Sequence, residues 1–579
     1  MRLLFACVLL VVADTMFGRA AFADFQAGME AYQRKDYAAA FKEFQAVAEA
    51  GDPRGATALG LFYFQGLGVT RDYALSLKWR TISAGAGNRI DANNLGMMYQ
   101  LGQGAPPDDH AAAGWYQKGA ALGDAAAMNN LASFYSTGRG GFAQRDELAF
   151  RWYLKSARLG YPTALSNVAL SYWGGYGVAA DAVEARNWAM KAAEKNDPQG
   201  LGVLGNMAYD GVGGAKDVRQ AVELWKRSAQ LGFARSQYNL GVELWLGKSV
   251  PRNAAMARTL ITAAANQGFP AAQYNLAVMD EVGTDGTIDH AQAFAWAQKA
   301  ATQGFAAAYG ALGNLYRLGH GVAPSLDQAI AWYKKGAAAG DVASQCNLGY
   351  LYEHGLGLPR DDAAAFRLFK TAAEQGFAPA LNNLAGMYRM GRGVARDDRA
   401  AAELATRAAQ AGSGSAALNL GNRYADEQDP EFAPKKAAQL YERAATLGLA
   451  EGKEQLGMLY LIGRGVDRDE RKGAELIEAA ATAGVASAQN TCGLLYAGGM
   501  GVTRNLRTAS RWFERAAEQG DAAAKENLKA VETAQADYAR RRVESFAARG
   551  RRGAWRFEVK EPAFFVNLTA LEPRTAGRR

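Results

Sequence analysis

Apolar residues recur along this chain at the spacing of short amphipathic helices, and residues 304–340 show the pattern most simply. Around Leu312, apolar residues fall three or four positions apart, which predicts a helix with one apolar face. Gly319 then interrupts the helix, because glycine reaches backbone angles that other residues avoid. Ser325 can accept hydrogen bonds from the free amides of a second helix, in which Trp332 belongs to the apolar face. The stretch is therefore predicted to form a helical hairpin.

The same hairpin pattern recurs through most of the chain. We call the position of Leu312 the phase position, and its counterparts define repeats 1 to 13. In chain order the phase residues are Leu59, Leu95, Leu131, Val168, Leu204, Leu240, Leu276, Leu312, Leu348, Leu384, Leu420, Leu456 and Cys492. Consecutive phase residues are 36 positions apart, except for the 37 positions between Leu131 and Val168. A period of this length indicates a solenoid, in which each repeat packs on its neighbours.

Three departures from the pattern have structural meaning. Glycine ends the second helix of almost every repeat, and Asn196 replaces it in repeat 4 because asparagine best tolerates the same left-handed geometry. Asp280 replaces the usual tyrosine of repeat 7. In repeat 11, residues 426–430 replace the loop glycines with a mainly acidic segment. We expect repeats 7 and 11 to form hairpins with altered loops.

The repeated residues carry a family resemblance. The pattern Asn-Leu-Gly-x-x-Tyr-x-x-Gly-x-Gly-Val-x-x-Asp-x-x-x-Ala-x-x-Trp/Leu, followed by Ala-Ala-x-x-Gly, resembles the Sel1-like repeat family over about residues 52–528. The resemblance implies an all-α fold, a right-handed, tetratricopeptide-like superhelix of αα-hairpins with about thirteen 36-residue repeats. It also implies an adaptor role in protein complexes and no shared catalytic site.

The N-terminal residues are predicted to direct export. Arg2 gives a positive start, Leu3–Val12 form a short apolar run, and a small-residue motif ending at Ala23 is typical of a signal-peptide cleavage site. The run is too short for a permanent membrane anchor. We therefore expect an exported bacterial protein, periplasmic or secreted, that begins at Asp24 after cleavage.

The chain divides into five predicted segments. These are a signal peptide (1–23), a tetratricopeptide-like capping hairpin (24–51), the repeat solenoid (52–520), a closing helix (521–548) and a basic tail (549–579). A terminal hairpin that differs from the other repeats is expected, because its outer face lies against solvent.

The net positive charge of the chain lies mainly at its C-terminal end. The chain carries +8, of which residues 1–23 contribute +1 and residues 540–579 contribute +7, so the remaining residues are neutral. A neutral body in an exported protein argues against nucleic acid as a partner. The basic end is expected to be a disordered segment, or to contact anionic lipid at a membrane surface through Arg540–Arg552.

The tail has a third interpretation. Around residue 555 apolar and charged residues alternate, which is a strand pattern. Trp555, Phe557 and Val559 would then anchor a recognition strand to a partner, or fold it back into the protein's own groove. All three interpretations stay open.

Candidate chemistry is sparse. The chain has four histidines and no zinc-binding motif, and a metal site where His320 and His354 approach each other is the weaker alternative to ordinary loop histidines. Cys346 and Cys492 lie four repeats apart, too far for a disulfide in an extended chain, so both are predicted to be buried free thiols. We expect no cofactor, no metal and no catalysis.

An asparagine series is the best candidate for a binding element. Asparagine precedes the phase residue in eight repeats, as Asn94, Asn130, Asn167, Asn239, Asn275, Asn347, Asn383 and Asn419. Their amides could bind the backbone of an extended peptide along a groove, because amides both donate and accept. Alternatively each asparagine satisfies a group in a neighbouring helix or loop. The second interpretation is favoured, since the series belongs to the repeat pattern itself.

These observations together predict a non-catalytic exported scaffold. It would bind protein or peptide partners in the cell envelope through the concave face of its superhelix. The alternative is a binder of envelope polysaccharide or peptidoglycan within a secretion or wall-remodelling complex, which exposed aromatic residues along the groove would favour. The pattern does not decide the oligomeric state.

Overall fold

The structure is a computed structural model that describes residues 19–283, 286–429 and 431–549, with side chains described between Phe25 and Asp537. These residues contain 29 α-helices and no strand, which confirms the predicted all-α solenoid of thirteen repeats. The helices fall into two compact units, with α1–α15 before Ile288 and α16–α29 after it.

Helix α1 spans Arg19–Gln33 and α2 spans Tyr37–Glu49. The first and second helices of repeats 1 to 7 are α3 Pro53–Gln65, α4 Tyr73–Gly85, α5 Arg89–Leu101, α6 Asp109–Ala121, α7 Ala125–Thr137, α8 Asp146–Arg158, α9 Pro162–Gly174, α10 Ala182–Glu194, α11 Pro198–Asp210, α12 Val218–Gln230, α13 Ala234–Leu246, α14 Ala254–Asn266, α15 Pro270–Val282 and α16 His290–Thr302. Those of repeats 8 to 13 are α17 Ala306–Leu318, α18 Leu326–Ala338, α19 Val342–His354, α20 Asp362–Glu374, α21 Ala378–Met390, α22 Asp398–Gln410, α23 Gly414–Ala425, α24 Pro434–Thr446, α25 Ala450–Ile462, α26 Glu470–Thr482, α27 Ala486–Gly498 and α28 Leu506–Glu518. The last helix is α29 Ala522–Arg549.

The second helices begin and end as predicted. The Ser325 hydroxyl accepts a 3.3 Å hydrogen bond from the backbone N–H of Gln328, and aspartate or asparagine caps most other second helices in the same way. Beyond the end of α18, Gly340 is left-handed with φ +84°. Asn196 has φ +53°, so the predicted left-handed asparagine is confirmed.

Each phase residue lies in the core, with between 0 and 6% of its surface exposed. In nine repeats glycine follows the phase residue, and in six of these an aromatic ring of the second helix packs against that glycine. A Cβ atom at Gly313 would lie 2.3 Å from the Tyr333 ring, and one at Gly493 would lie 2.4 Å from the Phe513 ring. Only glycine therefore lets the two helices of these repeats approach so closely.

Repeat 7 exchanges an aromatic pair for an ion pair. In repeat 8, Tyr316 packs on Phe294 of the preceding second helix, with ring centroids 5.4 Å apart. Asp280 occupies the position equivalent to Tyr316, and Arg258 occupies the position equivalent to Phe294. The Arg258 Nη1 atom lies 2.5 Å from Asp280 Oδ1, and the Asp280 side chain is only 5% exposed. The two departures from the pattern therefore compensate each other.

Repeat 11 forms its hairpin with a different loop. Helix α23 ends at Ala425, and the next residue, Asp426, is extended instead of left-handed. The Arg423 Nε atom donates a 3.0 Å hydrogen bond to Asp429, and Arg464 pairs with Glu427. Repeat 11 therefore has the altered loop that the sequence predicts, and ion pairs hold this loop where glycines form it elsewhere.

Four tryptophans of the second helices are only half-buried, although the pattern places one of them, Trp332, on the apolar face of its helix. Trp115, Trp188, Trp296 and Trp332 are half-buried, and a lysine three residues later covers each ring. The lysine nitrogens lie 3.9–5.2 Å from the ring centroids, a distance at which an ammonium group is attracted to the ring face. In the same helix position, Trp512 is buried as expected.

The ends of the described chain are helical. Helix α1 begins at Arg19, ahead of the predicted cleavage position, and a three-residue turn with Lys35 at φ +63° joins it to α2. Helix α29 continues the repeat register for 28 residues. Within the part of the chain that the structure describes, no helix is both long enough and apolar enough to cross a membrane.

The ion pair of repeat 7 provides a stability prediction. We expect Asp280→Asn to lower the local unfolding free energy of α14 and α15 by about 2 kcal/mol, because the ion pair between Asp280 and the Arg258 guanidinium is lost. This is less than the ~3–5 kcal/mol typical of breaking a fully buried pair, since the Arg258 side chain is 27% exposed. Amide hydrogen exchange in the two helices measures the change.

A matched control is Glu475→Gln, which removes a carboxylate from an exposed ion pair with Arg471 and should change stability by less than about 0.5 kcal/mol. The double variant Arg258→Phe/Asp280→Tyr restores the aromatic pair and should recover most of the loss. Equal effects of Asp280→Asn and Glu475→Gln would contradict a structural role for the ion pair.

Candidate binding surface

Within each unit the first helices expose equivalent positions of the repeat. In α5 the accessible side chains include Ile90, Asn94, Met97 and Leu101. Relative to the phase residue Leu95, Ile90 lies five positions before and Asn94 one position before, whereas Met97 lies two positions after and Leu101 six positions after. Consecutive first helices contact each other directly, as α5 and α7 do in the first unit and α17 and α19 do in the second. The side on which solenoid helices lie closest is the concave side. We call these four positions in each repeat the inner face.

The structure places the predicted asparagines on this face. Seven are half-buried and Asn419 is exposed. Six donate a hydrogen bond from Nδ2 to the first helix of the preceding repeat, as Asn130 to Asn93 Oδ1 (2.9 Å), Asn167 to Asn129 Oδ1 (2.9 Å), Asn239 to Asn206 Oδ1 (2.8 Å), Asn275 to the Tyr238 hydroxyl (3.4 Å), Asn347 to Asn314 Oδ1 (3.2 Å) and Asn383 to Cys346 Sγ (3.6 Å). Asn94 and Asn419 make no side-chain hydrogen bond within the described residues. The amides therefore join consecutive first helices, and their role in binding a ligand stays a prediction.

In two repeats the accepting amide also binds the second helix. Asn206 Oδ1 accepts from Trp225 Nε1 at 2.9 Å, and Asn314 Oδ1 accepts from the Tyr333 hydroxyl at 2.7 Å. Burial raises the pKa of Tyr333, which keeps its hydroxyl protonated as a donor. Each of these asparagine oxygens thus connects three helices, and sequence patterns alone do not reveal the connection.

Large apolar residues also lie exposed on the inner face. They are Met97, Leu101, Leu246, Val282, Leu318, Tyr350, Met390 and Ile462, with 40–60% of their surface exposed. Six of the eight occupy the last residue of a first helix, six positions after the phase residue. Exposed apolar residues that recur on one face are typical of an interaction surface. The hydrophobic pattern of single repeats did not point to this series, although its periodicity is visible in the repeat register.

A cleft interrupts the inner face of the first unit. The repeat 4–6 cleft, as we call it, has a volume of about 320 Å³ and lies where the first helices of repeats 4, 5 and 6 meet the second helix of repeat 5. Its aromatic residues are Trp173, Tyr209, Trp225 and Tyr238, and its polar residues are Asn206, Asp210, Asn239 and Glu243. Of the predicted site residues, Asn239 is in this cleft.

Glu243 is the unusual group of the cleft. The Tyr209 hydroxyl donates a 2.8 Å hydrogen bond to Glu243 Oε1, and this bond together with burial raises the pKa of Tyr209. The other carboxylate oxygen, Oε2, is buried without a hydrogen-bond partner, and only 5% of the residue is exposed. Asp210, by contrast, is exposed at the rim. The cleft therefore combines aromatic rings with an incompletely satisfied carboxylate.

A larger depression of about 730 Å³ lies elsewhere in the first unit, between the start of α8 and the loop after α9. Its charged residues include Arg145, Glu147 and Arg151, which are exposed to solvent. Charges of both signs in contact with water need no ligand to satisfy them. The smaller cleft is therefore the better candidate for a specific site.

The remaining candidates are placed as follows. His320 stacks on His290 with ring centroids 4.0 Å apart, whereas His354 stacks on Tyr350 at 4.2 Å. Cys346 and Cys492 are free and buried, as predicted, and burial raises their pKa values to about 11 and about 12. The predicted tail contacts Trp555, Phe557 and Val559 lie outside the described residues.

Comparison with known proteins identifies the repeats. The Sel1 repeat family model matches thirteen consecutive segments, 53–88, 91–124, 125–161, 162–197, 201–233, 234–269, 270–305, 306–341, 342–377, 378–413, 414–449, 450–485 and 486–521. These matches include every phase residue. None of the curated proteins compared with the chain matches it.

Solved structures of similar repeat proteins exist. The chain is 26% identical to c5321, a protective antigen of uropathogenic Escherichia coli with an SLR fold; the match covers 84% of this chain and 99% of that one, with a TM-score of 0.40. It is also 26% identical to a Sel1 repeat protein from Oxalobacter formigenes, over 42% of this chain and 96% of that one, again with a TM-score of 0.40.

The asparagine series leads to a paired test. We expect Asn347→Ala to lower the local unfolding free energy of α17 and α19 by about 1 kcal/mol, because the bond to Asn314 is lost. Asn419→Ala makes the same change at an asparagine without such a bond, and should leave the stability of α23 unchanged or slightly raised, since alanine favours helix. Hydrogen exchange of the named helices measures both. Equal changes in stability for the two variants would show that the asparagine side-chain hydrogen bonds do not stabilise the stack.

Proposed function

This chain belongs to the Sel1 repeat family, and from that premise we propose that it is a non-catalytic scaffold that binds protein or peptide partners through the inner face. The observation that carries the proposal is the series of exposed apolar residues on that face. Leu101, Leu246, Leu318 and Met390 are each about half exposed. Covering such side chains contributes about 25 cal/mol per Å² of apolar surface removed from water.

The amides beside these residues suit the same type of partner. An extended or helical peptide has an apolar side-chain pattern and a backbone with both donors and acceptors. Six half-buried asparagines of the inner face use an N–H group for the neighbouring repeat, as Asn347 does, while an amide oxygen can accept a further hydrogen bond. Apolar contact would then provide affinity, and amide oxygens would orient the peptide.

The perturbed acidic groups of the second unit support a scaffold over an enzyme. The pKa of Asp362 is lowered to about 2, first by its hydrogen bond with Arg360 and further by Arg392. Arg396 lowers the pKa of Asp398 in the same way. Both carboxylates lie in the first turn of a second helix. Their altered pKa values are explained by ion pairs that stabilise the hairpins.

Envelope polysaccharide is the alternative ligand, and the character of the inner face argues against it. Sugar rings pack on exposed aromatic faces, but the exposed large residues of the described inner face are mainly aliphatic, with Tyr350 the aromatic member. Aliphatic side chains are better suited to apolar residues of a protein. We therefore prefer a protein partner.

We also propose that the protein is exported, as its N-terminal sequence indicates, and acts in the periplasm or outside the cell. The partner would then be an envelope protein. The basic residues Arg540–Arg552 would hold the scaffold near anionic lipid.

Partner capture tests the inner face. The chain from residue 24 to residue 579 is used as bait in an envelope extract. The variant Leu101→Ser/Leu246→Ser should reduce recovery of the partner at least fivefold, because apolar contact on the inner face is lost. The control Leu122→Ser/Leu231→Ser makes the same change at similarly exposed leucines outside the inner face and should leave recovery unchanged.

Equal losses in both variants, or none in either, would overturn the inner face as the binding surface. Digestion of the extract before capture separates the ligand classes, because a protease destroys a protein partner and a muramidase destroys peptidoglycan. Bait that ends at residue 548 shows whether the tail contributes.

Export has a direct test. We expect the purified mature protein to begin at Asp24, as read from its N-terminal peptide by mass spectrometry. Deleting residues 2–23 should leave the protein in the cytoplasmic fraction. A mature chain that retains Met1, or export without these residues, would contradict the proposal.

A further inference from the structure

Glu243 breaks the repeat pattern at a core position. It lies three residues after the phase residue of repeat 6. Ten other repeats place phenylalanine, methionine or leucine at this position, and all ten residues are buried with 0–4% of their surface exposed. Met207 in repeat 5 and Met279 in repeat 7 are the nearest examples. A carboxylate here is a departure that hairpin packing does not require.

The surroundings of Glu243 do not neutralise its charge. Among the described residues Glu243 forms no ion pair with a lysine or arginine, and its hydrogen bond comes from the neutral Tyr209 hydroxyl. Oε2 is buried and has no donor. A buried carboxylate without a cation is costly, because it loses hydration and gains no opposite charge. Asp210 adds a second negative charge at the rim.

The walls of the cleft suit a positive charge as well. Trp173, Tyr209, Trp225 and Tyr238 line it, and aromatic ring faces attract ammonium and guanidinium groups. The Tyr209 ring already contacts one such group, since Lys216 Nζ lies 5.0 Å from its centroid. The volume of about 320 Å³ is at the lower end of ligand pockets, and suits one long side chain better than a folded element.

We propose that the repeat 4–6 cleft is a specificity pocket for a lysine or arginine side chain of the peptide partner. The cation would extend between the aromatic rings toward Glu243 Oε2, and Asp210 would attract it at the entrance. This inference rests on the proposed function, because the pocket lies on the inner face, and it defines the partner as a segment with a basic residue among apolar ones.

The same features disfavour the other ligand classes. An anionic ligand would be repelled by Glu243 and Asp210, which line the cleft. The residues that line the cleft include no basic side chain to offset these two charges. A neutral saccharide could donate a hydroxyl to Oε2 but would leave the negative charge uncompensated. Only a cation satisfies both the hydrogen bond and the charge.

Binding of short synthetic peptides to the chain from residue 24 to residue 579 tests the pocket. The probes are capped pentapeptides of alanine with arginine, lysine or citrulline at the centre, followed by saturation-transfer NMR of the peptide protons. Citrulline has nearly the shape of arginine but no charge. We expect the arginine or lysine peptide to give a signal at least fivefold above that of the citrulline peptide.

Two variants locate the signal. Glu243→Gln keeps the shape and removes the charge, and Glu243→Met restores a residue of the repeat pattern; each should reduce the cationic signal at least fivefold. The control Glu147→Gln removes an exposed carboxylate elsewhere in the same unit and should leave it unchanged. The midpoint of thermal unfolding of Glu243→Met should equal or exceed that of the original protein, because a buried charge is removed.

Three results would overturn the pocket. They are equal signals from the arginine and citrulline peptides, cationic binding that survives Glu243→Met, and a lower unfolding midpoint for Glu243→Met, which would make Glu243 a stabilising residue. An N-acetylglucosamine oligomer that binds in a Glu243-dependent manner, while the peptides do not, would assign the cleft to saccharide. The leucine variants of the capture experiment report separately on the inner face, so the two proposals can fail independently.

Discussion

A close contact between an aromatic side chain of the second helix and the backbone of the first helix determines the shape of many of these repeats. The contact needs glycine beside the phase residue, because the Tyr333 and Phe513 rings occupy the space of a Cβ atom. It also fixes the rotation of the first helix about its axis. The phase residue and its glycine face the second helix. The positions one and five residues before the phase residue, and two and six residues after it, must therefore face away from the second helix. The inner face is therefore a geometric consequence of how the hairpin packs.

Much of this arrangement could be predicted from local sequence. Helix starts, the left-handed Asn196 and the buried phase residues depend on a residue and its close neighbours, so the repeat register is sufficient. Pairings between helices could not be predicted in the same way. Arg258 and Asp280 are 22 positions apart, and each alone is a departure from the repeat pattern. Only the structure shows that the two residues together replace one aromatic pair with one ion pair. A lysine also lies over the half-buried tryptophans of the second helices, and the apolar pattern alone does not reveal this contact.

The candidate site was predictable in part. The asparagine series was found because it repeats, and the structure adds the acceptors that six of the amides use. Glu243 was missed for the opposite reason, since it occurs once and differs from what its position usually holds. Asp280 shows that an acidic residue in a core position is not by itself a sign of function. Asp280 is neutralised by an arginine within the fold, whereas Glu243 retains an oxygen without a partner. Pairing, and not residue type, separates the structural departure from the one for which we propose a function.

The asparagine side-chain hydrogen bonds between first helices have a mechanical consequence. Each bond joins only neighbouring repeats, so a pulling force along the stack would act on the links in series, and their extensions would add. The weakest links would extend first. Asn419 lacks the bond that Asn347 makes to the repeat before it, and Arg443 instead joins repeats 10 and 11 by donating to the Ala409 and Gln410 carbonyls. The junctions are therefore expected to differ in compliance according to which side chains join them. Variation in one side chain per repeat would thus grade the elasticity of the molecule without any change in its fold.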